Sequence, residues 1–188
     1  NTMPVVNYQQ YCHMLDNAKQ NKFAYPAINI SSSETINAAL LAFKEANSDG
    51  IIQVSTGGGK FASGIGVGSM SKGAIALAVY THIMAAEYNI NIALHTDHCH
   101  PQYVESFLLP LIEETKKRRA AGQPNLFSSH MYDGSALPMM ENIADSQSMF
   151  DPKRMTPTDP ATDRWGNLTR EFNQALDVRF IGQACNGV

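Results

Sequence analysis

Three histidines, one aspartate and one cysteine fall within the six residues from His95 to His100. They follow a largely apolar run, residues 90–94, which predicts a short buried strand. Neutral imidazole is a good zinc ligand, and a carboxylate can act as a general acid or base or can orient a histidine. Because side chains alternate along a strand, His95 and Asp97 would share one face and His98 the other, unless the strand bends. The pattern indicates a catalytic strand end, with metal binding and simple packing of the histidines both open.

A glycine-rich segment is the second candidate site. Residues 55–59, Ser-Thr-Gly-Gly-Gly, come directly after the apolar run 51–54, and Gly64, Gly66 and Gly68 follow. Free backbone N–H groups in such a loop can hold a phosphate. The segment lacks the Lys-Ser/Thr pair of a Walker A loop and the spacing of a dinucleotide-binding fingerprint. An anion site and a flexible turn are therefore both compatible with it.

Four apolar runs predict the strands that would position these residues, and helical patterns fill the segments between them. The predicted strands are residues 23–30, 51–54, 90–94 and 126–131. The predicted helices are residues 8–21, 36–47, 73–88, 103–121 and 138–150. Ser31 and Glu34 offer a capping box for the second helix, and Pro110 predicts a break in the fourth. The alternation of strands and helices indicates a parallel α/β sheet or barrel, whose strand ends carry the chemistry.

The alternating pattern of strands and helices ends after residue 150. Residues 155–163 are polar and contain two prolines, which predicts a linker, and residues 168–180 have the pattern of one further helix. We therefore expect one barrel-like unit over residues 1–150 and a separate linker and helical segment over residues 151–188.

Composition narrows the function classes. The chain has 188 residues, is 44% hydrophobic and 16% charged, and carries a net charge of −3, which predicts a globular domain. No basic stripe is present, so nucleic acid is not an expected partner, and no apolar run approaches the ~20 residues that cross a membrane. The three cysteines form no CxxC pair, which argues against a disulfide framework or a thiolate zinc site. We expect a soluble cytoplasmic enzyme.

Four segments together resemble a known family. They are Tyr-Pro-Ala-Ile-Asn at residues 25–29, Ser-Thr-Gly-Gly at 55–58, Ala-Leu-His-Thr-Asp-His-Cys at 93–99 and Leu-Phe-Ser-Ser-His-Met-Tyr-Asp at 126–133. Their order and spacing are similar to those of the class II, zinc-dependent fructose-bisphosphate aldolases, over about residues 3–145. The resemblance implies a TIM (β/α)₈ barrel, of which about the first four β/α units are evident here.

The resemblance also implies roles for individual residues. Asp97 would exchange a proton with the substrate hydroxyl beside the bond that breaks, and His98 would ligate the catalytic zinc. Asp133 would lie at a second or alternative metal position. Ser55 would contact substrate near a phosphate group, with Asn29 close by. A zinc ion acting as Lewis acid on the ketone oxygen makes a Schiff-base lysine unnecessary, and the strand ends suggest none.

The implied activity is reversible cleavage of fructose bisphosphate into dihydroxyacetone phosphate and glyceraldehyde phosphate, in glycolysis and gluconeogenesis. The implied cofactor is Zn²⁺, accompanied by a second divalent metal and a monovalent cation. The expected partner is a phosphorylated ketose, with neither nucleic acid nor membrane involved. Family resemblance further implies a homodimer or a higher homo-oligomer.

The sequence also departs from the family pattern. The chain is about half the family length, and four strands cannot close an eight-stranded barrel. The family's two further zinc histidines lie in later motifs, and no histidine follows His130 here. We therefore expect the sequence to represent part of a longer aldolase. Three alternatives stay open. The chain could be a truncated aldolase that cannot bind zinc well on one family ligand, or a non-catalytic half-barrel that serves as a structural or interaction module. It could also be a related class II aldolase acting on tagatose bisphosphate.

Overall fold

The computed structural model describes residues 5–150 and 179–183. At its centre is a parallel sheet of five strands whose spatial order follows the chain. The strands are β1 Ala27–Asn29, β2 Gly50–Val54, β3 Ile92–Cys99, β4 Ser129–Asp133 and β5 Arg179–Gln183. Repeated βα units of a barrel produce such an unreversed order, whereas doubly wound sheets reverse theirs. The predicted parallel α/β architecture is confirmed.

Helices connect the strands. Those described are α1 Tyr8–Asn21, α2 Ser33–Glu45, α3 Thr56–Ala62, α4 Gly64–Val67, α5 Met70–Ala85, α6 Leu109–Ala120 and α7 Met139–Phe150. A 3₁₀ turn, Pro101–Tyr103, and a π turn, Val104–Leu108, lead into α6. Pro110 lies in the first turn of α6, where a missing N–H leaves no helical bond unmade, so the predicted break is a helix start. Among the described helices, none has the length and apolarity to span a membrane.

The two faces of the sheet pack in different surroundings. Ile52, Val54 and Leu94 belong to the large core formed with the connecting helices. Ile51 and Ala93, which point the opposite way, join a small cluster with Tyr11 and Met14 of α1 and with Val6. Because this cluster covers only the amino-terminal end of the inner face, the carboxyl-terminal end of that face is left to polar side chains.

The first strand differs from its prediction. Residues 23–30 were expected to form a buried strand, but β1 has only three residues and all are exposed. Ile28 is 40% exposed and Phe23 is 44% exposed. Within the described residues β1 pairs only with β2, so no strand lies along its second edge there. The prediction of a strand is confirmed and the prediction of its burial is wrong.

Two further predictions need correction. The second helix is capped by Ser32, whose hydroxyl accepts from the Thr35 N–H, and not by the expected pair Ser31 and Glu34. The hydroxyl of Thr35 in turn accepts from the Ser32 N–H at 3.0 Å, which closes the capping box one residue later than expected. At the other end of the chain, β5 occupies residues 179–183, where the predicted helix 168–180 was to end. The rest of that helix and the linker 155–163 lie outside the described residues.

Candidate active site

The polar residues singled out by sequence gather at the carboxyl ends of four neighbouring strands. Asn29 ends β1, Ser55 follows β2, Asp97 and His98 lie near the end of β3, and Asp133 ends β4. Carboxyl ends of parallel strands meet at one edge of the sheet, so residues far apart in sequence become neighbours. The structure therefore brings the predicted site residues to one edge.

A bulge in β3 directs two consecutive residues into the site. Thr96 pairs with His130, and Cys99 pairs with Tyr132, so three steps along β3 correspond to two steps along β4. The extra residue falls at Asp97 and His98, and a bulge of this kind bends a strand and re-aims its side chains. The strict alternation assumed for a regular strand is lost there. The bend that Asp97 and His98 need in order to face the same site is therefore present.

His98 lies between two carboxylates. Its Nδ1 is 2.7 Å from Asp133 Oδ2, and its Nε2 is 3.6 Å from Asp97 Oδ1. The first distance is a short hydrogen bond and the second is too long for one. The His98 side chain is 45% exposed, while that of Asp133 is 4% exposed. His98 is therefore accessible from the open side of the site, and its carboxylate partner is fixed beneath it.

Asp133 is held as a carboxylate. Burial alone would raise its pKa, but hydrogen bonds from Ser135 and His98, together with the nearby His100, hold the pKa of the Asp133 carboxyl below its usual range. The Ser135 N–H donates to Oδ1 at 2.9 Å. Nδ1 of His100 lies 3.6 Å from Oδ2, beyond hydrogen-bond distance. Asp133 thus carries a negative charge at neutral pH and faces two imidazoles.

Asp97 has a partner from β1. The Asn29 side-chain amide donates from Nδ2 to Asp97 Oδ2 at 2.8 Å, and Gln53 donates from Nε2 to Asn29 Oδ1 at 2.5 Å. The Asp97 side chain is 14% exposed. Sequence reasoning missed Gln53, although a lone polar residue in the apolar run 51–54 was a usable signal. One Asp97 oxygen is fixed by an amide and the other faces His98.

Two further histidines are buried and structural. A hydrogen bond of 2.7 Å joins His95 Nδ1 to the Ser129 hydroxyl, and one of 2.9 Å joins His130 Nδ1 to the Thr96 hydroxyl. Burial lowers the pKa of His95 to about 4 and that of His130 to about 3. Both are therefore neutral at neutral pH. The sequence left both metal binding and simple packing open for these histidines. In the structure His95 is packed within the strand, whereas His98 faces the site.

The glycine-rich segment is helical, which makes the flexible-turn interpretation wrong. Ser55 caps α3, and its hydroxyl oxygen accepts from the Gly58 N–H at 3.0 Å. A Cβ on Gly58 would lie 2.9 Å from the main-chain oxygen of Ile30, so only glycine lets α3 approach the end of β1 this closely. This approach brings the first turn of α3, which Ser55 caps, against Ile30, the residue that follows β1.

The described residues supply only part of a metal site. Among them, no group of three or more His, Cys, Asp and Glu side chains is placed to hold a metal ion. Burial raises the pKa of the Cys99 thiol to about 12, so it is not available as a thiolate ligand. His98 and His100 each have a ring nitrogen 3.6 Å from a carboxylate oxygen, that of Asp97 and that of Asp133 respectively, which is beyond hydrogen-bond distance.

Comparison with known proteins gives a consistent result. The family described as "Fructose-bisphosphate aldolase class-II" matches residues 9–155. The fructose-bisphosphate aldolase of Mycobacterium leprae is 53% identical over 148 residues, which are 79% of this chain and 43% of that protein. That of Streptomyces galbus is 46% identical over 183 residues, covering 93% of this chain and 53% of that protein. The chain thus spans about half the length of the curated relatives it matches.

A solved structure agrees with the sequence matches. The crystal structure of fructose-bisphosphate aldolase from Campylobacter jejuni superposes with a TM-score of 0.78 at 30% sequence identity. The superposition covers 98% of this chain and 47% of that chain. The prediction of a partial (β/α) barrel is confirmed by this likeness together with the unreversed strand order.

Proposed function

The chain belongs to the class II fructose-bisphosphate aldolase family, and on that premise we propose that it carries the proton-transfer half of a zinc-dependent aldolase site. The reaction is reversible aldol cleavage of fructose bisphosphate into dihydroxyacetone phosphate and glyceraldehyde phosphate. The observation that carries the proposal is the Asp97 carboxylate, held by Asn29 at 2.8 Å and adjacent to His98 at 3.6 Å.

Asp97 is suited to take the proton of the substrate hydroxyl next to the carbon–carbon bond that breaks. Asn29 fixes one of its oxygens, and the second oxygen is left to accept a proton. At 14% exposure the carboxylate has few water contacts, so a bound hydroxyl meets a base that is already oriented. In the condensation direction the same carboxyl returns the proton to the new hydroxyl.

The imidazole of His98 is a side chain of the kind that binds zinc. When bound, zinc supplies a Lewis acid for the ketone oxygen of the substrate. We propose that His98 holds it, that Asp133 lies at the position given to a second divalent metal, and that a monovalent cation assists. The remaining zinc ligands are not found among the described residues.

Ser55 supports the binding of a phosphorylated substrate. Its hydroxyl oxygen accepts from Gly58, and a hydroxyl that accepts one bond still has its own hydrogen to donate. A phosphate oxygen near Asn29 would receive that hydrogen. We propose Ser55 and Asn29 as substrate-binding residues, in a cytoplasmic homo-oligomer.

The exposed β1 favours a second candidate, a non-catalytic half-barrel that associates with another protein through this uncovered strand. A coupled assay separates the two functions. The chain, purified with zinc, should cleave fructose bisphosphate, should lose that activity in a chelator and should regain it on adding zinc. Tagatose bisphosphate serves as the matched substrate, and faster cleavage of it would identify the related aldolase. Folding and association without zinc or cleavage would identify the half-barrel module.

A further inference from the structure

We infer that Asp133 is a positioning residue for His98: its carboxylate holds the proton on Nδ1 and turns Nε2 toward Asp97 as the zinc-binding nitrogen. This inference rests on the proposed function and assigns Asp133 a role exerted through His98. The two residues are separated by 35 positions in sequence and meet through a hydrogen bond of 2.7 Å across β3 and β4.

The Asp133 carboxylate is fixed from both sides. Oδ1 accepts from the Ser135 N–H at 2.9 Å, and Oδ2 faces His98 Nδ1. Its side chain is 4% exposed, and it belongs to the strand end, where the main chain is held by pairing with β3 and β5. A group held in this way orients its partner, because the more exposed imidazole adjusts to it.

This contact decides the tautomer of His98. A carboxylate has no proton to donate, so a neutral imidazole bound to it must carry its single N–H on the contacting nitrogen. The proton therefore lies on Nδ1, and the lone pair lies on Nε2. Nε2 is 3.6 Å from Asp97 Oδ1, which places the free lone pair beside the proposed catalytic carboxylate. A carboxylate on the far nitrogen is the usual partner of a zinc-binding histidine.

The geometry disfavours Asp133 as a direct ligand of the zinc ion that His98 would bind. Both of its oxygens are already engaged, one by Ser135 and one by His98. His100 Nδ1 also faces Oδ2, at 3.6 Å, so the approach to that oxygen is occupied by two imidazoles.

The variant Asp133→Asn tests the role sharply. The Ser135 N–H keeps the amide oxygen on its side, so the amide NH₂ replaces Oδ2 and faces His98. A donor at that place forces Nδ1 to accept, and the proton moves to Nε2. The measurement is a long-range ¹H–¹⁵N spectrum of the zinc-free chain with labelled histidine, at a pH about two units above the ordinary histidine pKa of ~6.5.

The expected result is Nδ1–H for His98 in the unmodified chain and Nε2–H in Asp133→Asn. Zinc affinity, measured by competition with a chelator, should fall ~10–100-fold in the variant, as for other partners of zinc-binding histidines. The His95 signals serve as the internal control, since His95 bonds to Ser129 and not to Asp133. If Asp133→Asn does not fold, Asp133→Ala replaces it, and loss of the preference for Nδ1–H is the expected outcome.

Three results would overturn the inference: Nε2–H in the unmodified chain, an unchanged tautomer in both variants, or a loss of zinc in Asp133→Ala as large as that in His98→Ala. The last result would make Asp133 a direct ligand. Failure of the proposed function is a different observation. A chain that shows Nδ1–H on His98 and the expected drop in zinc affinity, but cleaves no sugar phosphate, supports the positioning role and contradicts the aldolase proposal.

Discussion

Acidification should destabilise the chain through two buried histidines. The folded-state pKa of His130 is about 3 and that of His95 about 4, against an ordinary value of 6.5. Both values are depressed, so unfolding takes up protons below pH 6.5, and stability is present above that pH and lost as pH falls toward the folded values. At pH 5 each histidine lowers the free energy of unfolding by ~2 kcal/mol relative to pH 7.5, because only the unfolded form is protonated.

The two histidines together lower the free energy of unfolding by ~4 kcal/mol. This is a large share of the ~5–15 kcal/mol that is the typical free energy of unfolding of a domain. Replacing His130 by Asn keeps a polar atom near the Thr96 hydroxyl and removes the titrating group. Urea unfolding of the unmodified chain and of His130→Asn at pH 7.5 and pH 5.0 gives the two pH dependences. The variant should show a pH dependence smaller by ~2 kcal/mol, whatever its stability at pH 7.5.

The matched control is His13→Asn, which changes an exposed histidine on α1 and should keep the full pH dependence. Carboxylates also contribute to acid sensitivity, and they contribute equally to all three proteins. Equal pH dependences in His130→Asn and in the unmodified chain would refute the argument, since they would mean that His130 is not held neutral by burial.

Three further predictions concern packing and the proposed site. Gly73→Ala puts a Cβ against the main chain of α3 and should cost ~1–3 kcal/mol in thermal unfolding, whereas Gly66→Ala, with nothing within 4 Å, should be tolerated. Ser128→Ala removes a buried hydroxyl that bonds main-chain groups of β3 and of the amino-terminal segment, and should cost ~1–3 kcal/mol by chemical denaturation. Asn29→Asp sets a second carboxylate against Asp97 and should lower kcat/KM more than Asn29→Ala does; the reverse order would contradict their contact.

Local patterns in the sequence were sufficient for much of the fold. The helix predicted over residues 8–21 has those bounds in the structure, because its apolar spacing agrees with a capping box at Asn7 and Gln10. The strand predicted at 51–54 is extended by a single residue. The glycine run failed as a loop prediction because its helix is stabilised by close tertiary packing and not by propensity.

The residues of the site could be predicted from the sequence, but their arrangement in space could not. Asp97 and His98 stood out as a strand end, but the bulge that turns both inward depends on the register with β4, which the sequence does not express locally. The His98–Asp133 contact joins residues on two strands, so no spacing rule indicates it. The hydrogen bond from Gln53 to Asn29 depends on the pairing of β2 with β1, so the sequence alone does not indicate it.

The central claim is that Asp97 transfers the substrate proton in a zinc-dependent aldolase site. The most direct measurement is zinc-dependent fructose bisphosphate cleavage by the unmodified chain and by Asp97→Asn, with bound zinc determined on the same samples. We expect cleavage that a chelator abolishes, and an Asp97→Asn variant that keeps its zinc and loses ~10²–10⁴-fold in rate. Cleavage by Asp97→Asn at the unmodified rate, or an unmodified chain that neither binds zinc nor cleaves the sugar phosphate, would contradict it.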